Sequence, residues 1–305
     1  MTKRVIFNAD DYGLSDQTSR AIIDCFRKGI LSSTSILSCQ PFLTEAQVGW
    51  LREDDAIGKG VHLSLTLGRP LNRALLKYAE VVDPEGIFRT SYCNLLNFCC
   101  FSEKWKDILS AIEIEFDLQI RRVIDCGFQV DHLDSQHHIH MIPPLSEIVG
   151  KLAAKYGIVH IRHSVESLHY VAGQPGLWKN IKAVNILKGA VLEMLGRGSR
   201  GHAPRIQFFG VLFSGRTSCD YLAALFRSFT DSDCCEIAFH PGYVEGALSP
   251  EQQRYAKFLK DTSRQKEIDI LIGNRLKDLL NSYNVSLCRY GDINVDEFVS
   301  KTHGN

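Results

Sequence analysis

Arg4-Val5-Ile6-Phe7-Asn8-Ala9-Asp10-Asp11-Tyr12-Gly13 begins as an apolar run and ends in two carboxylates and a glycine. Residues 4 to 9 read as a buried strand whose polar residues gather at its C-terminal end. Ser15 then precedes a helical pattern, Ile22, Ile23 and Phe26, that stops at Gly29. Leu31 to Leu37 predicts a second strand, residues 46 to 52 a helix, and Gly60 to Thr66 a third strand ending at Gly68. The same alternation continues downstream. Helical patterns cover Trp105 to Ile124, the stretch opened by Pro143, Asn180 to Leu195, and most of Arg254 to Leu280. Strands are predicted at Phe128 to Leu133, Gly157 to Arg162, Ile206 to Phe213, Cys235 to Phe239 and Val285 to Cys288; residues 69 to 101 read as irregular. Strands that alternate with helices predict a mostly parallel sheet wrapped by helices, here an α/β (β/α)-barrel-like fold in one domain over residues 1–305. In such folds functional residues collect at the C-terminal ends of strands.

Chemically loaded segments fall at or near those ends. The run His132-Leu133-Asp134-Ser135-Gln136-His137-His138-Ile139-His140 holds four of the eleven histidines. Imidazole and carboxylate are the ligands a borderline divalent metal takes, and imidazole also moves protons near neutral pH. If the run is extended, residues 132, 134, 136, 138 and 140 share one face and His137 points away. Asp10 and Asp11 read either as a turn with a helix cap or as a metal ligand beside a general base. Adjacent side chains on extended backbone point to opposite faces. His62 interrupts an apolar strand, and His240-Pro241-Gly242 presents an imidazole in a turn directly after a strand. Either histidine could be structural, His62 otherwise serving as a ligand and His240 as an acid.

Composition narrows the classes. Lys+Arg and Asp+Glu balance at 35 each in 305 residues, which lacks the basic excess of a nucleic-acid partner. The ten cysteines include two adjacent pairs and no CxxC spacing, so free thiols in a reducing compartment are expected. With no secretory apolar region and no apolar stretch of about 20 residues, a cytoplasmic protein is expected. Residues 165–205 read as a less regular, partly basic insertion carrying Lys179, Lys182, Lys188, Arg197, Arg200 and Arg205. Its helical spacing (Ile181, Val184, Leu187, Val191, Leu195) fits a solvated amphipathic helix or a face that meets anionic lipid or phosphate.

Asn8 to Ser15, Gly60-Val61-His62-Leu63, His132 to Met141 and His240-Pro241-Gly242 together resemble the YdjC-like carbohydrate deacetylases, a polysaccharide-deacetylase-like group. The motifs stand in family order, and the later Arg264–Glu267 segment also fits. The resemblance implies a hydrolase that removes acetyl groups from an N-acetylated amino sugar with one divalent metal, Mg or Zn. It implies Asp10 as general base, His240 as general acid, Asp11 and His62 as metal ligands, and Gln136 at the third ligand position. There the family usually has histidine; His137, His138 or an impaired site are the other accounts. Asp134, His138 and His140 are expected to contact substrate. The substrate is expected as a free oligosaccharide or a lipid- or phosphate-linked sugar, with contact at the inner membrane face and homodimerisation as further options. The competing readings are a glycoside hydrolase pairing Asp10 with Asp134, and a non-catalytic sugar-binding relative.

Overall fold

A computed structural model describes residues 3–101, 105–168, 170, 174–196, 206–230, 234–244, 246–249 and 252–294. Its sheet is built from β1 (Lys3–Tyr12), β2 (Ser33–Ile36), β3 (Gly58–Leu63), β4 (His132–Ser135), β5 (His160–Ile161), β6 (Gln207–Phe209), β7 (Cys234–Phe239) and β8 (Val285–Leu287). The strand order is β5-β4-β3-β2-β1-β7-β6, with β8 beside the first residues of β1. Every strand pairing is parallel. Parallel neighbours need long crossovers, which is why helices separate most of the strands. No pairing joins β5 to β6 among the described residues, so the sheet is a curled half-barrel.

The crossovers are α1 (Asp16–Lys28), α2 (Glu45–Arg52), α3 (Tyr92–Phe101), α4 (Trp105–Asp125), α5 (Pro143–Tyr156), the short α6 (Pro175–Trp178), α7 (Ala183–Gly196), α8 (Cys219–Ser228), α9 (Ala256–Leu259), α10 (Ser263–Ile272) and α11 (Asn274–Ser282). Their ends follow local chemistry. Ser15 accepts the Thr18 amide at the start of α1, and Thr44 with Gln47 forms a reciprocal capping box on α2. Pro143 and Pro144 begin α5, and left-handed Gly157 ends it. The outer faces of the strands and the inner faces of the helices form one large core; Val5, Phe7, Ile22, Leu63, Ile112 and Phe239 are among its fully or almost fully buried members.

Three expectations change. Residues 69 to 101 are not irregular throughout: a 3-10 turn covers Arg73–Lys77, and α3 follows. The strands expected over 128–133 and 157–162 shorten to β4 and β5, because pairing between them is limited to His132↔His160 and Leu133↔Ile161. The histidine run is extended only to Ser135. Gln136 to Met141 turns into a 3-10 segment in which His137 (φ 55°) and His138 (φ 61°) are left-handed, so the alternate-face expectation fails beyond Ser135. The basic 165–205 segment lies partly outside the described residues; within it α7 is helical as expected. Among the described residues the cysteines form no disulfide, and no helix is long and apolar enough to cross a membrane.

Candidate active site

The site begins with a backbone irregularity. Against β2, Ala9 pairs with Thr34 and Tyr12 with Ile36, so β1 spends three steps where β2 spends two. This bulge puts Asp11 at φ 72°. Regular alternation would send Asp10 and Asp11 to opposite faces. The bulge instead lets both carboxylates reach the same rim, 3.7 Å from His240 Nε2 and His62 Nε2 respectively.

Alternate inward positions of the strands meet in a polar cluster centred on Arg162, which is 2% exposed. Its guanidinium donates to Asp10 Oδ1 (2.7 Å) and Oδ2 (2.9 Å), reaches Asp134 Oδ2 (2.6 Å), and donates to Glu236 at 2.5 to 3.1 Å. Asp10 also accepts from Asn8 Nδ2 at 2.8 Å, and Asp134 from Ser35 Oγ at 2.6 Å. Tyr290 donates its hydroxyl to Glu236. His132 stacks on Tyr290 and lies within hydrogen-bond distance of Asp131 and Ser35. Its ring occupies the space a Cβ at residue 60 would take, 2.2 Å away, which explains Gly60. Burial works against the Asp10 and Asp134 anions, but Arg162 and His62 outweigh it and hold both carboxyls below their usual range. Glu236 goes the other way, because burial exceeds its share of Arg162.

His62 links this cluster to a second set of donors. Its Nδ1 meets Asp134 Oδ1 at 2.8 Å and its Nε2 meets Gln136 Oε1 at 2.7 Å. Burial would depress this imidazole, yet Asp134 and Asp10 raise it to about 9, so it donates from both nitrogens. Asp11 is fully buried, and neither of its oxygens has a hydrogen-bond partner. That burial pushes its pKa up despite the nearby His62 and His240. Across the same rim His240 is 27% exposed at its side chain. Its backbone is fixed from α10: the amide donates to Glu267 Oε2 at 2.5 Å, and the carbonyl accepts from Arg264 Nε at 3.1 Å. A Cβ at Gly242 would stand 2.4 Å from the Arg264 guanidinium carbon. A larger residue there would have to displace the Arg264 guanidinium.

The other members of the histidine run separate. His140 is 2% exposed; its Nε2 donates to the Arg162 carbonyl (2.8 Å) and its Nδ1 accepts from Ser135 Oγ (2.5 Å), and burial lowers its pKa to about 4. It is a neutral ring that fixes the backbone of Arg162. Asp134 is likewise fully buried, with both oxygens engaged by protein. His138 turns to Ser164 Oγ at 2.9 Å, edge-on to Phe208, while His137 is exposed. Of the three side chains considered for the third ligand position, Gln136 is the one held against His62. Tyr12 and Phe42 are core residues.

Arg162 and Glu236 were not singled out from sequence. The available signal was a charged residue within or directly after a short apolar strand, where an ion must find a counter-ion. Ligand atoms of Asp10, His62 and Asp134 all lie within 4.8 Å of one another, so this buried group could hold a metal ion.

A sequence profile of the YdjC-like protein family matches residues 4–282. The chain belongs to the YdjC-like family. Similar relatives of this YdjC-like protein are a carbohydrate deacetylase of Clostridium beijerinckii, 28% identical over 292 residues covering 95% of this chain and all of the relative, and one of Listeria monocytogenes, 26% identical over 291 residues with the same coverages. A crystal structure from Enterococcus faecalis, of a provisionally named cellobiose-phosphate cleavage protein, superposes with a TM-score of 0.69 at 22% identity and covers 96% of this chain and 99% of that one. At that identity it attests the fold alone.

Proposed function

We propose that this YdjC-like protein is a carbohydrate deacetylase that hydrolyses the amide of an N-acetylated amino sugar with the help of one divalent cation. The names of its relatives support the reaction class. The observation that carries the reading is Asp11, a fully buried carboxylate with no hydrogen bond on either oxygen, 3.7 Å from His62 Nε2, which Gln136 Oε1 meets at 2.7 Å. A buried carboxylate whose oxygens accept no hydrogen bond is costly to keep. Asp11, Gln136 and, once its Nε2 proton is released, His62 would hold the cation. The alternative set, Asp10 with Asp134, is already bridged by the Arg162 guanidinium. When bound, the cation supplies Lewis acidity for the acyl oxygen and lowers the pKa of a water beside it. Two oxygen donors and one nitrogen favour a harder ion, of the magnesium or manganese kind, over zinc.

The chain's own groups then divide the proton work. Asp10, kept ionised by Arg162, takes a proton from the attacking water at its carboxylate. The water oxygen bonds to the acetyl carbon. His240 Nε2 delivers a proton to the sugar nitrogen as the carbon–nitrogen bond breaks, which releases acetate and a free amine. Asp134 holds His62 through Nδ1 and so fixes which way Nε2 points. The paired-carboxylate glycosidase reading gains no support, since Asp10 and Asp134 bind the same guanidinium rather than facing across a cleft. The test is acetate release from N-acetylated hexosamine oligosaccharides by magnesium- or manganese-loaded protein. Activity that chelation removes and that falls by about 10²–10⁴-fold in Asp10→Asn is expected. No acetate from any such sugar, or an unaffected Asp10→Asn, overturns the reading.

A further inference from the structure

Helix α7 carries its apolar face outward. Its buried residues are Asn185, Leu192 and Gly196, while Val184 is 55% exposed, Leu187 66% and Met194 62%. These three stand at i, i+3 and i+10, with Val191 between them at i+7, along one helical face. The stripe that predicts a core-facing side therefore points to solvent. Ile186 and Trp178, the last residue of α6, are each 42% exposed nearby in sequence. A monomeric soluble surface seldom keeps so many large apolar groups in one short segment.

Charge says what the face meets. The chain has zero formal net charge, but residues 174–205 carry Lys179, Lys182, Lys188, Arg197, Arg200 and Arg205 against the single acid Glu193. The three lysines are exposed, and Lys188 lies one turn from Val184 at the edge of the stripe. An outward apolar face, exposed lysines in the same segment and an exposed tryptophan form the pattern of a helix lying in the interface of an anionic bilayer. A protein partner would supply apolar area without needing this excess of positive charge.

The place of the helix gives the surface a use. α7 packs against the Gln136–Met141 turn, and Leu192 shares a cluster with Met141, Phe208 and Ala238, the last two residues before His240 being Ala238 and Phe239. The same turn supplies Gln136 to the site.

We propose that α7 docks this protein on anionic membrane surfaces beside the mouth of the site, so that it acts on an amino sugar whose anchor is a lipid. The docking surface stands by itself; the lipid-anchored substrate rests on the deacetylase reading above. The experiment is flotation of the full chain with vesicles of phosphatidylcholine alone or mixed equally with phosphatidylglycerol, at low and high salt. Binding to the mixed vesicles at low salt is expected. It should be lost at least 10-fold in Leu187→Glu/Met194→Glu and weakened, with a flatter salt response, in Lys182→Glu/Lys188→Glu. All these side chains are exposed, so thermal unfolding of the variants should match the parent, and acetate release from a water-soluble N-acetylated sugar should be unchanged. Absence of binding to mixed vesicles at low salt, equal binding to neutral vesicles, or undiminished binding by the apolar double variant overturns the docking surface. So does sedimentation showing a dimer that the same double variant dissociates. Vesicle binding without acetate release from any sugar would sink the reaction while leaving the membrane surface in place.

Discussion

Two neighbouring clusters at the rim of the half-barrel differ in one respect. Around Arg162 each carboxylate, Asp10, Asp134 and Glu236, is met by the same guanidinium, and serine, asparagine and tyrosine satisfy further oxygens. One residue along the chain, Asp11 is just as buried, yet neither of its oxygens accepts a hydrogen bond and its facing ring, His62, stands 3.7 Å away. A fully partnered buried ion network fixes geometry. A buried carboxylate left without hydrogen bonds marks where an outside ligand belongs. The difference separates carboxylates held by protein from one left open to a ligand with no appeal to residue type, since each side contains an aspartate.

The largest effect should come from breaking the partnered side. Arg162→Met leaves three buried carboxylates without their counter-charge and should destabilise the fold by about 3–5 kcal/mol, read by urea unfolding at pH 7. A stability loss under about 1 kcal/mol would mean that the network does not hold the rim together.

Acid should expose the next effect. His140 is neutral in the folded protein, with its pKa lowered to about 4 from 6.5. A depressed folded-state pKa means that the unfolded chain takes up the proton first. The stability tied to this ring is therefore complete above pH 6.5 and drains as pH falls toward 4, to an extent of up to about 3 kcal/mol. His140→Asn should flatten the fall in unfolding free energy between pH 7 and pH 4.5; an unchanged slope would remove His140 from the account.

The unpartnered side should respond with the opposite sign. Asp11→Asn removes a buried carboxyl whose oxygens accept no hydrogen bond, so the metal-free protein should gain about 1–3 kcal/mol, while the rise in melting temperature on adding magnesium or manganese disappears. A destabilised Asp11→Asn that still responds to the cation would show that the ion sits elsewhere. The smallest structural effect is expected from Gln136→His, within about 0.5 kcal/mol in the metal-free state. Its consequence lies in selectivity. An added imidazole should move competition toward zinc by at least tenfold, measured as bound metal after equilibration with mixed ions. No change in preference would show that residue 136 is not a ligand.

Much of the fold was legible because its signals are local. β1, α1, α4 and α5 follow from apolar runs, caps and prolines that act within a few residues, and the parallel sheet follows from their alternation. Shorter strands were less legible. β5 and β6 have only two and three residues, and their limits are set by the partner strand rather than by their own sequence. Chemistry was legible as residue type: Asp10, Asp11, His62, Gln136 and His240 all come to one rim, as their places at or near strand ends suggested. What each does was not. The extended reading of 132–140 put Asp134 and His140 in contact with substrate, whereas both are closed in by protein, because the chain turns at Ser135.

Sequence by itself determined the alternation of elements, the family, and the set of side chains available at the rim. Tertiary structure decided which of those side chains are already spoken for. Arg162, 152 positions away from Asp10, neutralises one of two adjacent aspartates, and the bulge in β1 turns the other toward His62. It also decided that the apolar stripe of α7 faces outward. The reason is common to both. Periodicity encodes which residues share a face, while the partner of a buried charge and the side a helix shows to solvent depend on contacts between segments far apart in the chain.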